Sequence, residues 1–149
     1  KISVDTTAQM GHVTAVVGAP DATLLSGSIK DAASLLEEIE RLGGTILTLA
    51  NAEQGMVLVN RAQIPGKEDS SLVSVAEKYG LEVKKTSALT LVGAGLLAVV
   101  PQVLARLKED KIESSLIFAS DGSLVLQTDS TKLESALEGL HGHFCAKVD

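Results

Sequence analysis

The sequence predicts an α+β fold in which a βαββαβ unit occurs twice, each with an antiparallel sheet covered by helices on one face. The main observation is a repeat: apolar strands at residues 23–29 and 89–95 are each followed by a helix, two strands and a second helix. A further apolar, β-branched strand at residues 13–17 precedes both copies. Because one such strand needs a sheet to join, we expect it to pair along an open edge of either unit.

The first copy shows clear hydrophobic periodicity. Apolar residues recur at helical spacing over residues 31–42, and Gly43-Gly44 then predicts the end of that helix. Alternating apolar residues and turn residues predict the rest of the unit, which consists of strands at 45–50 and 56–60 and a helix at 70–79.

The second copy repeats this order with its own turn and helix signals. The spacing predicts a helix at 100–108 whose buried stripe is formed by Val99, Val103, Leu104 and Leu107, and Asp121-Gly122 predicts a hairpin turn. The remaining elements are strands at 114–119 and 124–128 and a helix at 132–141.

Two local signals mark element boundaries. Residues 18–21, Gly-Ala-Pro-Asp, predict a turn after the leading strand. Thr131 followed by Glu134 predicts a capping box at the start of the last helix.

Composition excludes several classes of partner. Only 2% of the 149 residues are aromatic and the net charge is −6, so neither base stacking nor attraction to phosphates favours a nucleic-acid partner. A single cysteine, Cys145, is typical of a reducing compartment, which predicts a cytoplasmic protein. The longest apolar stretch, residues 95–101, is far below the roughly 20 residues that cross a membrane.

Three segments carry a resemblance to a known family. They are the entering strand at residues 13–17, the strand and glycine loop at residues 89–96, and the closing segment Ala-Leu-Glu-Gly-Leu-His-Gly-His-Phe at residues 136–144. Together they resemble the regulatory region of aspartokinases, a tandem pair of ACT domains, from about Val13 to the end of the chain. The resemblance implies two ferredoxin-like ACT modules.

The resemblance also implies domain boundaries. The first module is inserted and comprises residues 23–86, whereas residues 13–22 complete the second module together with residues 87–149. Residues 1–12 are a lead-in segment. Because ACT units generally pair side by side, a homodimer is implied.

The implied function is allosteric feedback control. Aspartokinase ACT pairs bind an end-product amino acid, commonly lysine or threonine, in a cleft between ACT units and thereby change the activity of a kinase domain. This sequence shows no lysine-glycine-glycine phosphate loop, and it does not begin with methionine. We therefore expect a piece of a longer aspartate kinase that contributes no catalytic residue, cofactor or metal site.

An amino-acid effector requires donors for its carboxylate and an acceptor for its ammonium group. In the first copy, amides of Ser28, Ile29 and Lys30 lie at the start of a predicted helix, where the dipole favours an anion. Asp31 is placed to pair with the ammonium group, and the carbonyl oxygen of Asn51 could bind the same group. The structural alternative makes Asp31 a helix cap and Asn51 a turn residue.

The second copy offers matching positions at Gly93, Ala94, Gly95 and Ser120. Here the family usually carries a proline-glycine pair at the start of the helix, but Gln102 follows Pro101. A bulkier residue at this position supports a different function, a structural dimerisation module whose effector site has decayed.

Two further alternatives, a dinucleotide-binding domain and a metal site, each have part of a sequence motif but lack the other features that the function requires. Residues 93–98 match the G-x-G-x-x-A dinucleotide fingerprint, which requires a parallel βαβ unit, whereas the Asp121-Gly122 turn predicts an antiparallel partner. His141, His143 and Cys145 lack a fourth metal ligand. The acidic pairs at 37–38 and 109–110 are interpreted as solvated residues.

Overall fold

The computed structural model describes residues 11–50, 54–64 and 70–145. Within these ranges the elements are β1 (His12–Gly27), α1 (Ala32–Leu42), β2 (Thr45–Ala50), β3 (Gly55–Asn60), α2 (Ser70–Tyr79), β4 (Glu82–Ala94), α3 (Val100–Glu109), β5 (Ser114–Ala119), β6 (Ser123–Thr128) and α4 (Leu133–Phe144). Short 3-10 helices, Leu96–Val99 and Ser130–Lys132, precede α3 and α4. The strands are hydrogen-bonded in the order β2-β3-β1-β4-β6-β5, which confirms the predicted α+β class.

The chain divides into two compact units. The central unit runs from Ala19 to Thr86, and the flanking unit comprises the described residues up to Gly18 together with those from Ser87 onward. Both boundaries fall inside strands, because β1 and β4 each pass from one unit into the other.

The central unit has the strand order β2-β3-β1-β4. β3 is antiparallel to both β1 and β2, and Leu25 on β1 lies opposite Val57 on β3. Apolar side chains from these strands, from α1 and α2 and from the adjoining loops form one core: Leu25, Ile29, Leu35, Ile39, Val57, Val59, Leu72, Val75, Ala76 and Leu81. Leu35 and Ile39 of α1 therefore face this core, as the helical spacing of the apolar residues predicted.

The flanking unit has the order β1-β4-β6-β5. β6 is antiparallel to β4 and β5, and Leu89 lies opposite Leu126. Its core again joins strands to two helices: Val13, Leu89, Leu91, Leu96, Val99, Val103, Leu107, Ile112, Leu124, Leu126, Leu133, Ala136 and Leu140. Each unit thus has its own hydrophobic core.

The two units share an irregularity in addition to their order of elements. The register shifts between Ile46 and Thr48 in β2 and between Leu116 and Phe118 in β5. β2 and β5 are the second strands of the two repeated βαββαβ units, and each carries a bulge near its middle. This agreement supports the interpretation of the chain as a repeat.

The predicted turn at residues 18–21 is wrong, because β1 continues without interruption from His12 to Gly27. A Cβ atom at Gly18 would lie 2.8 Å from Cδ1 of Leu137, so this glycine makes room for a helix side chain. The carbonyl oxygen of Asp21 accepts a hydrogen bond from the Arg61 amide at 2.9 Å. Packing and cross-strand bonding therefore override the local turn preference of Gly-Ala-Pro-Asp.

The predicted capping box at Thr131 and Glu134 is also wrong. Asp129 caps this end, since its Oδ1 accepts hydrogen bonds from the amide and from the hydroxyl of Thr131, both at 2.9 Å. The N-cap of α4 is Lys132, no side chain makes a capping hydrogen bond there, and α4 begins after a 3-10 turn.

Leu104 is 38% exposed, so its predicted place on the buried face of α3 is wrong. Val103 and Leu107, four residues apart, form the buried line of this helix. Leu104 lies about 100° around the helix from Val103, which turns it away from the core.

Candidate functional site

The candidate loop of the central unit connects β1 to α1. Gly27 is the last residue of β1, and residues 28–31 lead to the first helical residue, Ala32. Ser28, Lys30 and Asp31 are exposed, whereas Ile29 is only 8% exposed and belongs to the core. The loop therefore presents polar groups on a backbone anchored by one buried side chain.

Neighbouring groups leave little room for a side chain at Gly27 or at Gly55, the two glycines beside this loop. Gly27 has φ +146°, and a Cβ atom there would lie 3.0 Å from Cδ2 of Leu81 and 3.3 Å from the carbonyl oxygen of Gly80. A Cβ atom at Gly55 would lie 2.8 Å from Cδ1 of Ile29. The loop is thus seated against the start of β3 and against the residues that follow α2.

Asp31 is the N-cap of α1, as the structural alternative predicted. Its Oδ1 accepts a hydrogen bond from the Ser34 amide at 3.1 Å, and its carbonyl oxygen accepts one from the Leu35 amide at 3.1 Å. A carboxylate has a second oxygen with free lone pairs, and this residue is exposed. Capping therefore leaves Asp31 able to bind a cation.

The amides before the helix are the potential anion donors. In the described part of the chain, the backbone N–H groups of Ser28, Ile29 and Lys30 have no acceptor. They precede the positive end of the α1 dipole. Asn51, the other residue predicted for this site, lies outside the described residues.

The second set of candidates, Gly93, Ala94, Gly95 and Ser120, is brought together at the β5–β6 hairpin. The amide of Gly93 donates to the carbonyl oxygen of Gly122 at 3.1 Å, and the amide of Leu96 donates to that of Asp121 at 3.0 Å. The hairpin thus occupies two backbone donors at the end of β4.

The glycines of this second loop serve a close approach of two backbone segments. A Cβ atom at Gly93 would overlap the carbonyl oxygen of His12, and one at Gly11 would overlap that of Gly95. Gly11 and Gly95 also have positive φ angles, +72° and +66°. These glycines therefore let the start of β1 lie directly on the end of β4.

Ser120 stabilises its own turn. Its Oγ accepts hydrogen bonds from the amides of Gly122 at 3.3 Å and Ser123 at 3.1 Å, and it lies 3.3 Å from the Ser123 carbonyl oxygen, to which it donates. The Ser120 amide also donates to the Ser123 carbonyl oxygen at 2.9 Å, which closes the predicted Asp121-Gly122 turn.

Sequence reasoning missed a polar cluster between α1 and α2. Oε2 of Glu38 accepts hydrogen bonds from Nζ of Lys78 at 2.8 Å and from the hydroxyl of Tyr79 at 2.7 Å. The hydrogen bond from Lys78, followed by that from Tyr79, lowers the pKa of the Glu38 carboxyl, and the same contact raises the pKa of Tyr79. The interpretation of Glu38 as a solvated residue is wrong, because its side chain is only 23% exposed and is hydrogen-bonded to two side chains of α2.

The histidines and the cysteine near the end of α4 are the remaining candidate ligands from the sequence. His141 and His143 are exposed, and Sγ of Cys145 donates to the carbonyl oxygen of Val13 at 3.6 Å. Among the residues with described positions, no three His, Cys, Asp or Glu side chains are grouped closely enough to hold a metal ion.

In the described part of the chain, no helix has the length and apolar character required to cross a membrane.

The strand order contradicts the dinucleotide-binding alternative. β4, which carries the G-x-G-x-x-A segment, is hydrogen-bonded to antiparallel β6 rather than to β5, the next strand along the chain. A dinucleotide fold requires adjacent parallel strands joined by a crossover helix, and it requires the glycine-loop amides to face the ligand. Here the Gly93 amide is bonded to the hairpin.

No protein-family model matches the sequence, and no curated protein sequence matches it either. Solved structures do. Aspartate kinase from Clostridium acetobutylicum is similar with a TM-score of 0.70 at 13% identity, over 91% of this chain and 35% of that chain. Escherichia coli aspartokinase III, in complex with lysine and aspartate, gives a TM-score of 0.65 at 16% identity, over 91% of this chain and 34% of that one.

The regulatory subunit of aspartate kinase from Thermus thermophilus is similar over almost its entire length. The TM-score is 0.60 at 19% identity, and the match covers 87% of this chain and 97% of that chain. The chain thus spans about a third of the full aspartate kinases and nearly all of a regulatory subunit. Its fold is the ACT-type fold of aspartokinase regulatory regions, as the sequence predicted.

Proposed function

We propose that this chain is the amino-acid-sensing regulatory region of an aspartokinase-like enzyme. The supporting observation is the structural match to a regulatory subunit over 97% of that subunit's length. We propose an end-product amino acid of the lysine or threonine class as the effector. One similar structure, aspartokinase III, is a complex with lysine and aspartate, which supports this class.

The loop at residues 28–31 of the central unit has the chemistry that such an effector requires. The amides of Ser28, Ile29 and Lys30 have no acceptor among the described residues, so they are available to the effector carboxylate. Asp31 is exposed and carries a charge opposite to that of the ammonium group. Asn51 is proposed as an additional acceptor for that group.

The flanking unit is proposed to have a different role for its equivalent loop. The hairpin carbonyl groups of Asp121 and Gly122 already accept hydrogen bonds from the amides of Leu96 and Gly93. A ligand carboxylate would have to displace these bonds. We therefore expect the effector at the central unit, with Gly93, Ala94, Gly95 and Ser120 maintaining the hairpin contact.

The proposed partners follow from the same assignment. A kinase domain in the same protein or complex would be the target of regulation, and a second copy of the chain would form a homodimer through the ACT modules. A cytoplasmic location fits an enzyme of amino-acid biosynthesis.

The test is calorimetric titration of the purified chain with lysine, threonine, methionine and related amino acids. We expect heat of binding with one of them. Asp31→Asn should weaken that binding about tenfold, because asparagine retains the cap but removes the charge. Asp129→Asn makes the same chemical change at another cap and should leave the affinity unchanged.

A structural dimerisation module is the second candidate. It is favoured by the internally bonded amides of Gly93 and Leu96 and by exposed Gln102 at the start of α3. This candidate predicts no heat with any amino acid and a stable dimer in sedimentation. Binding that is equally tight in wild type and Asp31→Asn would instead contradict the assignment of the loop.

A further inference from the structure

The polar cluster of Glu38, Lys78 and Tyr79 joins the middle of α1 to the last turn of α2. Both donors approach the same atom, Glu38 Oε2, at 2.8 Å and 2.7 Å. The Lys78 ammonium group also lies 5.8 Å from the centroid of the Tyr79 ring, within the range of a cation–π contact. One carboxylate oxygen thus fixes two polar groups of α2.

A neighbouring ion pair on α1 provides a comparison for the exposure of this cluster. Glu37 and Arg41 lie on the same helix at 3.7 Å, with their side chains 71% and 69% exposed. The Glu38 side chain is only 23% exposed, and its partners belong to a different helix. Exposed pairs of the first kind contribute little, whereas a shared and partly shielded carboxylate restricts two helices relative to each other.

The end of α2 that this cluster holds is also the segment on which the candidate loop rests. Tyr79 is the last residue of α2, and Gly80 follows with φ +70°. The helix ends in a pair of hydrogen bonds, from the Gly80 amide to the Glu77 carbonyl oxygen at 3.2 Å and from the Leu81 amide to that of Ala76 at 2.8 Å. This is the Schellman arrangement, which ties the residues after the helix rigidly to its last turn.

Contact with the loop follows directly after this turn. The position of a Cβ atom at Gly27 would be 3.3 Å from the Gly80 carbonyl oxygen and 3.0 Å from the Leu81 side chain. The Gly80 carbonyl oxygen and the Leu81 side chain therefore fill the space that a side chain at Gly27 would occupy, so a shift of the α2 end changes the packing beside Gly27. Gly27 immediately precedes the amides of Ser28, Ile29 and Lys30.

We propose that Glu38, Lys78 and Tyr79 form a positioning clamp that sets the conformation of residues 27–31 through Gly80 and Leu81. The inference rests on the proposed function for its ligand, but its structural part stands on the contacts alone. The clamp residues do not touch the effector. They determine how well the loop amides are arranged before the effector arrives, and hence its affinity.

The experiment uses Tyr79→Phe, which removes one hydroxyl and leaves the ring, and Glu38→Gln, which retains an acceptor but removes the charge. Glu38→Ala removes both. The control is Arg41→Gln, which breaks the exposed pair on the same helix. For each variant, the NMR chemical shifts of the backbone amides are measured at residues 28–31 and amide hydrogen exchange is measured at the β3 core residues 57–59. Titration with the amino acid that the wild type binds follows.

We expect displaced amide resonances at residues 28–31 in Glu38→Ala and Tyr79→Phe, unchanged hydrogen exchange at 57–59, and about fivefold weaker effector binding. Glu38→Gln should be intermediate, and Arg41→Gln should match the wild type. Unchanged amide resonances at 28–31 in Glu38→Ala, or accelerated hydrogen exchange at 57–59, would overturn the clamp, because the cluster would then be irrelevant to the loop or merely stabilising.

Failure of the proposed function gives a different result. If the wild type binds no amino acid, the effector assignment is wrong, and the amide resonances of residues 28–31 in the variants still decide whether the clamp exists. If the wild type binds and Glu38→Ala binds equally well, the effector assignment stands and the clamp does not control affinity.

Discussion

Thr23 carries a buried hydroxyl that lacks a hydrogen-bond partner, the one such side-chain atom in the described part of the chain. It is 0% exposed and lies opposite Val59 in the sheet of the central unit. Leu25, two residues along β1, points into the core of that unit, so Thr23 faces the same apolar side. An unpaired hydroxyl in such a place costs free energy of folding.

We predict that Thr23→Val raises the free energy of unfolding by about 1 kcal/mol, because valine has nearly the same shape and no unpaired hydroxyl. Urea denaturation measures the change. Thr128→Val is the matched control: Thr128 is equally buried, but its Oγ1 donates to the Glu113 carbonyl oxygen at 3.2 Å, so the control should be destabilised. A lower denaturation midpoint for Thr23→Val would contradict the prediction.

Single residues could be predicted from the sequence only where their partners are local. Asp31 was predicted as a cap because the Ser34 amide that it accepts from is three residues away. Glu38 was not, since Lys78 and Tyr79 belong to another helix and no spacing links them to it. The same applies to Gly18, whose reason is the distant side chain of Leu137.

Among the elements, those bounded by helix-ending glycines or short hairpins were predicted well. The predicted bounds of β2, α2 and β5 agree with the structure. β1 was predicted as two pieces because Gly-Ala-Pro-Asp is a turn sequence, whereas long-range packing keeps the strand continuous. The local turn preference of a sequence predicts a strand poorly when that strand contributes side chains to two hydrophobic cores, as β1 does.

The close approach between β1 and β4 leaves no room for a side chain at position 93. Gly93→Ala should lower the free energy of unfolding by about 2–3 kcal/mol, because the added Cβ would overlap the His12 carbonyl oxygen, a backbone atom that cannot rotate away. Gly122→Ala is the control, since nothing lies within 4 Å of a Cβ there. Thermal unfolding of the two variants provides the comparison, and equal stability would contradict the close approach.

The whole molecule repeats one βαββαβ unit, and this was the level at which the sequence was most informative. The strand orders β2-β3-β1-β4 and β1-β4-β6-β5 show why the leading strand was needed: the flanking unit takes its fourth strand from the start of β1. The repeat predicted the fold because it depends on the order of elements rather than on particular side chains. The repeat alone could not predict which copy binds an effector, because the two copies differ in which loop amides are already hydrogen-bonded.

We propose that an amino acid binds at the loop preceding α1. An NMR titration of the isotope-labelled chain with lysine, threonine and related amino acids, following the backbone amide resonances, tests this binding site. We predict saturable shifts for one amino acid that are largest at residues 28–31. Absence of shifts with every amino acid, or shifts that are largest at residues 93–96, would contradict the account.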